Sequence, residues 1–313
     1  MTRSNRKQHY VPEYYLKNFA DNNYLHIYDL KNKTKFSNSI SNTAYRKNFY
    51  NVNCDFFNKI IIGERFEDSH FIDKIINKYN ESILARFFDS FNPTRERILK
   101  KDNRTTISLI DFHSLVDFIL VQFYRNPKLS ILFKHIDDLA KNKYQADNTI
   151  EFDKITRGIV ILLLFNELHY GRKTNFIDEI RNTYQPITEE IKTIKDLITN
   201  SYKIVYWNKT ALDFVTSDCA MSFMRLNDED LFSTIFVPIN TNVAVVLINK
   251  DSSSFDQTIE ENGTIIQLEE EDKIHVETYN MSIIENANRF VYSKNGRFPD
   301  TIHTVNYKEW WNL

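Results

Sequence analysis

The sequence predicts an α+β fold, with a helical N-terminal two-thirds packed on a mainly antiparallel sheet from the C-terminal third. Two observations carry this expectation. Up to about residue 200 apolar residues recur at helical spacing, and beyond it short runs of Val, Ile, Tyr and Phe are divided by polar turns. The 313 residues, 42% hydrophobic and 14% aromatic, are ample for a large core. We read 1–313 as a single domain, helical to about 200 and sheet-rich from 201.

The stretch from Thr105 to Pro127 is the expected centre. Ile107, Ile110, Leu115 and Val116 oppose Asp111, Ser114 and Asp117, and then Phe118, Ile119, Leu120 and Val121 form a turn with no polar residue. A helix that is apolar all round is buried there. Pro127 ends it, because the residue before a proline avoids the helical region. Ahead of it, Tyr15, Leu16 and Phe19 make one face of a short helix that opens after Pro12. Residues 25–38 read as a β-hairpin bending at Lys31-Asn32-Lys33. Phe71, Ile75, Tyr79, Ile83 and Phe87 place a helix over 71–91, with others over 128–142, 155–171 and, just after Pro186, 187–200. Strands are expected over 202–207, 212–218, 234–239, 243–249 and 264–269, forming a single, mostly antiparallel sheet, followed by a last helix and a strand at Phe290.

Composition excludes several classes. A net charge of −2 gives no global basic field for non-specific nucleic-acid binding, although a local basic groove is compatible with it. Cys54 and Cys219 are too few for a disulfide framework, which points to a reducing, cytoplasmic setting. The longest apolar run, Ile159 to Phe165, spans seven residues where a membrane helix needs ~20, so no membrane partner is expected. With five glycines there is no phosphate loop, dinucleotide fingerprint or nucleophile elbow. No His-x-x-x-His spacing marks a metal. A magnesium ion held by scattered Asp oxygens needs no local motif and stays open.

The chemistry-bearing residues lie at the ends of elements. His9 stands in His9-Tyr10-Val11-Pro12, ahead of Tyr15, Leu16 and Phe19. Gln122 and Arg125 share one face at the end of the central helix, before Pro127. Thr216-Ser217-Asp218 follows a strand, Pro238 lies in another, and Asn280 is placed at the opening of the late helix. Together these resemble a bacterial family known only as a domain of unknown function, whose hallmark is His-x-Val-Pro followed by Tyr-Leu and Phe. The family pattern usually has Pro after Thr-Ser-Asp-x, where this chain has Ala220. The resemblance singles out these residues and implies no chemistry.

Each residue also has a plain structural reading. His9 is equally suited to bonding backbone, Arg125 to capping a helix C-terminus and Asp218 to an Asx-turn. The functional reading makes them one site, with His9, Arg125 and Asp218 catalytic and Gln122, Tyr15 and Asn280 binding substrate. A His moves the proton, an Arg neutralises phosphoryl charge and a carboxylate orients. The expected function is a phosphodiester-cleaving nuclease, a toxin or phage-defence effector, with nucleic acid or a nucleotide as partner. A nucleotide or glycosidic hydrolase needs the same parts. A non-enzymatic sensor of a small anionic ligand is the contrasting reading, and a structural partner protein a third.

Overall fold

The computed structural model describes residues 7–47, 49–51, 109–129, 178–224, 233–250, 263–305 and 307, with Asn175–Phe176 and scattered residues over 54–76 and 158–164. The helices expected over 71–91, 128–142 and 155–171 lie largely outside these residues.

Strands occupy the N-terminal part, which overturns the expected helical N-terminal two-thirds. β1 (Lys7–His9) pairs antiparallel with β4 (Tyr45–Lys47), and β2 (Tyr24–Asp29) pairs with β3 (Thr34–Ser39). The bend between β2 and β3 is the expected one, with Lys33 at φ 53°. Asp29 fixes the bend by accepting the Lys31 and Asn32 backbone N–H groups, an Asx-type turn. β2 is also the neighbour of the last strand, β13 (Phe290–Ser293), and β13 pairs in turn with β8 (Thr216–Ser217). The sheet order β3-β2-β13-β8 thus joins the two ends of the chain.

A second sheet has the order β12-β7-β11-β10-β9. Its strands are β7 (Tyr202–Asn208), β9 (Ser222–Met224), β10 (Thr234–Pro238), β11 (Val243–Ile248) and β12 (Thr264–Leu268). Three of its four pairings are antiparallel, with β12 parallel to β7; the expectation of a single sheet is corrected by Thr216–Ser217, which belongs to the other sheet. Strand period alone carries no information on partner or direction, so residues 212–218 could not be assigned to a sheet from pattern. The remaining pair, β5 (Ile61–Ile62) with β6 (Asn175–Phe176), is short.

The helices lie mainly in the middle and C-terminal parts. Apart from the four-residue α1 (Glu13–Leu16), the described ones are α2 (Leu109–Arg125), α3 (Asp178–Asn200) and α4 (Lys273–Asn286). α3 runs through Pro186 and so starts earlier than expected. α2 matches its expected burial: Phe118, Ile119 and Leu120 are fully buried and Val121 is 2% exposed.

The five-stranded sheet is apolar on both faces, which gives two cores. Val205, Trp207, Ile235, Val237, Val243, Val245 and Leu247 pack with α1 and α2. Phe236, Ala244 and Val246 pack with Val276, Ile283 and Ile284 of α4. The split follows the period-2 alternation of side chains along each strand. Phe118 lies in the first core with its ring 5.4 Å from that of Tyr15. Phe118→Ala is expected to lower the unfolding free energy by about 3–5 kcal/mol, measured by urea titration. A loss below about 1 kcal/mol would contradict the central packing of α2.

Candidate functional site

The connection from β1 to α1 carries the His9 motif, and α2 holds it by two backbone carbonyls. Gln122 Nε2 donates to the Tyr10 carbonyl at 2.9 Å. Arg125, one turn later on the same helix face, donates from Nη2 to the His9 carbonyl and from Nε to the Tyr50 hydroxyl at 2.7 Å. Tyr50 is tied back to β1, because its backbone N–H donates to Gln8 Oε1 at 2.6 Å. The spacing of Gln122 and Arg125 therefore matches two successive carbonyls of one extended segment.

The guanidinium of Arg125 is 4% exposed and has no carboxylate within ion-pair distance among the described residues. Its Nη1 makes no hydrogen bond to them. A buried cation normally requires a counter-charge or a full set of acceptors.

The His9 imidazole has contacts of its own, with the Tyr45 ring 5.8 Å away. The Ile40 carbonyl accepts a hydrogen bond from the ring, and Nε2 is 3.2 Å from Glu13 Oε1. That approach is not aligned as a hydrogen bond, so Nε2 remains a buried nitrogen without a partner. Burial pushes the imidazole below its ordinary value of 6.5; Glu13 opposes the shift and the Arg125 charge adds to it. The neutral tautomer with its proton on Nδ1 would leave the Nε2 lone pair available.

Tyr15 and Asn280 are engaged elsewhere. The Tyr15 hydroxyl lies 2.8 Å from Thr216 Oγ1 and 2.8 Å from the Pro238 carbonyl, with the Ala220 carbonyl at 3.1 Å. Asn280 lies in the second half of α4, not at its opening. It accepts from the Val215 N–H at 3.0 Å and donates to the Asp213 carbonyl at 2.9 Å, so it pairs with one backbone segment as another strand would.

Asp218 does not meet Arg125. Its Oδ1 accepts from the Asn288 N–H at 2.8 Å, and its Oδ2 from those of Arg289 and Phe290 at 2.9 and 3.1 Å. Three backbone donors bind one carboxylate as β13 begins, and this bonding accounts for its burial. The next turn also explains the departure at Ala220. Ala220 has φ 61°, which the proline ring, fixed near −65°, cannot adopt.

These geometries bring His9, Gln122 and Arg125 together; Tyr15, Asp218 and Asn280 bond other segments, although the Asp218 charge still reaches the Tyr10 phenol beside His9. Sequence reasoning missed Glu13, Gln8 and Tyr50. The signals were the i, i+4 spacing of Glu13 from His9 and the direct adjacency of Gln8. Nothing local marks Tyr50.

Residues 7–297 match a family described as protein of unknown function. The chain belongs to this family, DUF4238. No curated protein and no solved structure matches it. In this DUF4238 member Gln122 and Arg125 hydrogen-bond the carbonyls of the His-x-Val-Pro motif, and Tyr15, three residues after its Pro, lies within hydrogen-bond distance of Thr216. No helix of the described residues is long and apolar enough to cross a membrane. No cluster of metal-ligating side chains occurs among them.

Asp218→Ala removes the carboxylate that accepts three backbone N–H groups, each costing about 1–3 kcal/mol when buried unsatisfied. Its expected effect is a stability loss of about 3 kcal/mol or more in urea. An unchanged midpoint with lost activity would return Asp218 to the catalytic set.

Proposed function

We propose that this protein is a phosphodiester-cleaving nuclease whose base is His9 and whose fixed positive charge is Arg125. One observation carries the reading: among the described residues, the His9 carbonyl is held by a buried guanidinium with no counter-carboxylate, and the imidazole of the same residue has a buried nitrogen with no hydrogen-bond partner. A phosphate group complements both. It supplies the missing negative charge, and its esterified or attacking hydroxyl supplies a proton for Nε2. The Ile40 carbonyl orients the ring, as a base needs a fixed tautomer. Glu13 is a positioning residue that covers Nε2 until substrate displaces it.

Labelled RNA, DNA and nucleotides are incubated with wild type and His9→Ala, with and without magnesium. Wild type is expected to cleave a polynucleotide, and His9→Ala to be slower by about 10²–10⁴-fold with an unchanged fold. Equal rates would remove the reading. The setting attached to it is a toxin or phage-defence effector; induced expression is then expected to arrest bacterial growth for wild type and not for His9→Ala.

The pH dependence follows from the lowered imidazole value. The unfolded chain binds a proton at His9 near 6.5 and the folded chain only at lower pH, so stability falls as pH drops below 6.5. His9→Gln is expected to flatten that slope. Cleavage should persist at pH 6, and Glu13→Gln, which removes the opposing carboxylate, should move the acid limb lower still. An acid limb above 6.5 in wild type would contradict a neutral base.

The depth of Arg125 favours one second reading, a non-enzymatic sensor of a small anion. Calorimetric binding of a nucleotide without turnover would select it.

A further inference from the structure

The pairing of β1 with β4 places Lys7 opposite Lys47 and His9 opposite Tyr45. Alternation along a strand puts these four on one face of the ribbon and Gln8 with Arg46 on the other. Lys7 and Lys47 are exposed, and neither forms an ion pair with a carboxylate among the described residues. Two cations directly opposite one another repel, so the sheet gains nothing from the pair. One pleat further along, the Tyr45 ring is half-buried, 5.8 Å from the His9 ring, with Lys7 Nζ 4.8 Å from its centroid. Lys7 is directed there by a hydrogen bond to Asn42 Oδ1.

Two cations without a carboxylate partner among the described residues, a half-buried aromatic ring with Lys7 over its face and a neutral imidazole therefore share one small surface. Stacking platforms flanked by cations are how proteins hold single strands, whose bases are free to leave the helix; a duplex presents its phosphates but no open base face. We propose that the β1–β4 ribbon binds single-stranded RNA, with a base on Tyr45, flanking phosphates on Lys7 and Lys47, and the intervening phosphodiester at His9. This inference rests on the nuclease reading and gives it a substrate class.

RNA fits the groups present, because it carries its own nucleophile. With Glu13 displaced, His9 Nε2 takes the proton of the ribose 2′-hydroxyl. The 2′ oxygen then bonds phosphorus, the bond from phosphorus to the 5′ oxygen breaks, and water gives that oxygen its proton. The products are a 2′,3′-cyclic phosphate and a 5′-hydroxyl, with the imidazolium returning its proton to solvent.

The test separates binding from cleavage, on the full chain. Fluorescence anisotropy with a labelled 12-mer RNA compares wild type, Lys7→Gln/Lys47→Gln and Tyr45→Leu, alongside the duplex of the same sequence. Wild type is expected to prefer the single strand, and Tyr45→Leu to weaken binding about tenfold or more. The double lysine variant should lower the slope of log K against log salt by about 1.4. Circular dichroism checks that each variant is folded. Equal or tighter binding of duplex, or wild-type affinity in the folded variants, overturns the inference whether or not the protein cuts. In parallel, a strand with one 2′-deoxyribose at the cleaved position should bind as well and stay intact at that position. Cutting there at the full rate overturns the RNA assignment. Strand binding as described with no cleavage of any substrate would instead sink the nuclease reading and leave the ribbon as a binding surface.

Discussion

The two bonds from α2 to the His9 and Tyr10 carbonyls govern everything built around the N-terminus. An extended segment that leaves a two-stranded ribbon and enters a four-residue helix has few backbone partners of its own. Gln122 and Arg125 supply them from a helix whose preceding turn is sealed in the core, so the donors cannot shift without moving Phe118 to Val121. The rigidity of the segment is thus inherited from hydrophobic packing. Its consequence is electrostatic as well. Arg125 is held in place by neutral groups, a phenol and a carbonyl, and no carboxylate among the described residues balances its charge.

Tyr15 extends the same logic across the molecule. Its ring packs on Phe118 while its hydroxyl reaches Thr216 and the Pro238 carbonyl, so one side chain joins α1, α2 and both larger sheets. Asp218 and Asn280 do comparable work further on, one gathering the start of β13 and the other the strand-like residues 213–215. In each case a side chain bonds backbone that the sheets leave unpaired. Such bonds are expensive to lose because the orphaned groups are buried.

How much of this was legible in the sequence depends on what kind of signal each feature leaves. The buried turn of α2 was, since four apolar residues around a helix allow no other reading. The β2–β3 hairpin was also visible, but its weight was not. Nothing in residues 24–39 says that β2 pairs with a strand some 260 residues later, and that pairing is what displaces the helical N-terminal picture. The parallel placement of β12 was hidden for the same reason. At the site, the sequence marked His9, Gln122 and Arg125 because polar groups at the edge of apolar runs need partners, and these three do come together. Asp218 obeys the same rule, yet its partners are three N–H groups of residues 288–290, which no side-chain pattern announces.

That difference between Asp218 and Arg125 separates fold from function here. Both are buried charges at the end of an element, and the same argument nominated both. Asp218 accepts three backbone N–H groups, which gives its buried charge a structural explanation. Arg125 has two acceptors for a guanidinium with five N–H groups and no counter-charge among the described residues, while the nearby imidazole is kept neutral with one nitrogen unbonded. A protein that used these groups only as locks would be more stable with a carboxylate opposite the arginine, because an unpaired buried charge costs several kcal/mol, on the order of the whole net stability of a domain. Among the described residues that missing partner is the feature that stability alone does not account for, and the phosphate of the proposed substrate would supply it.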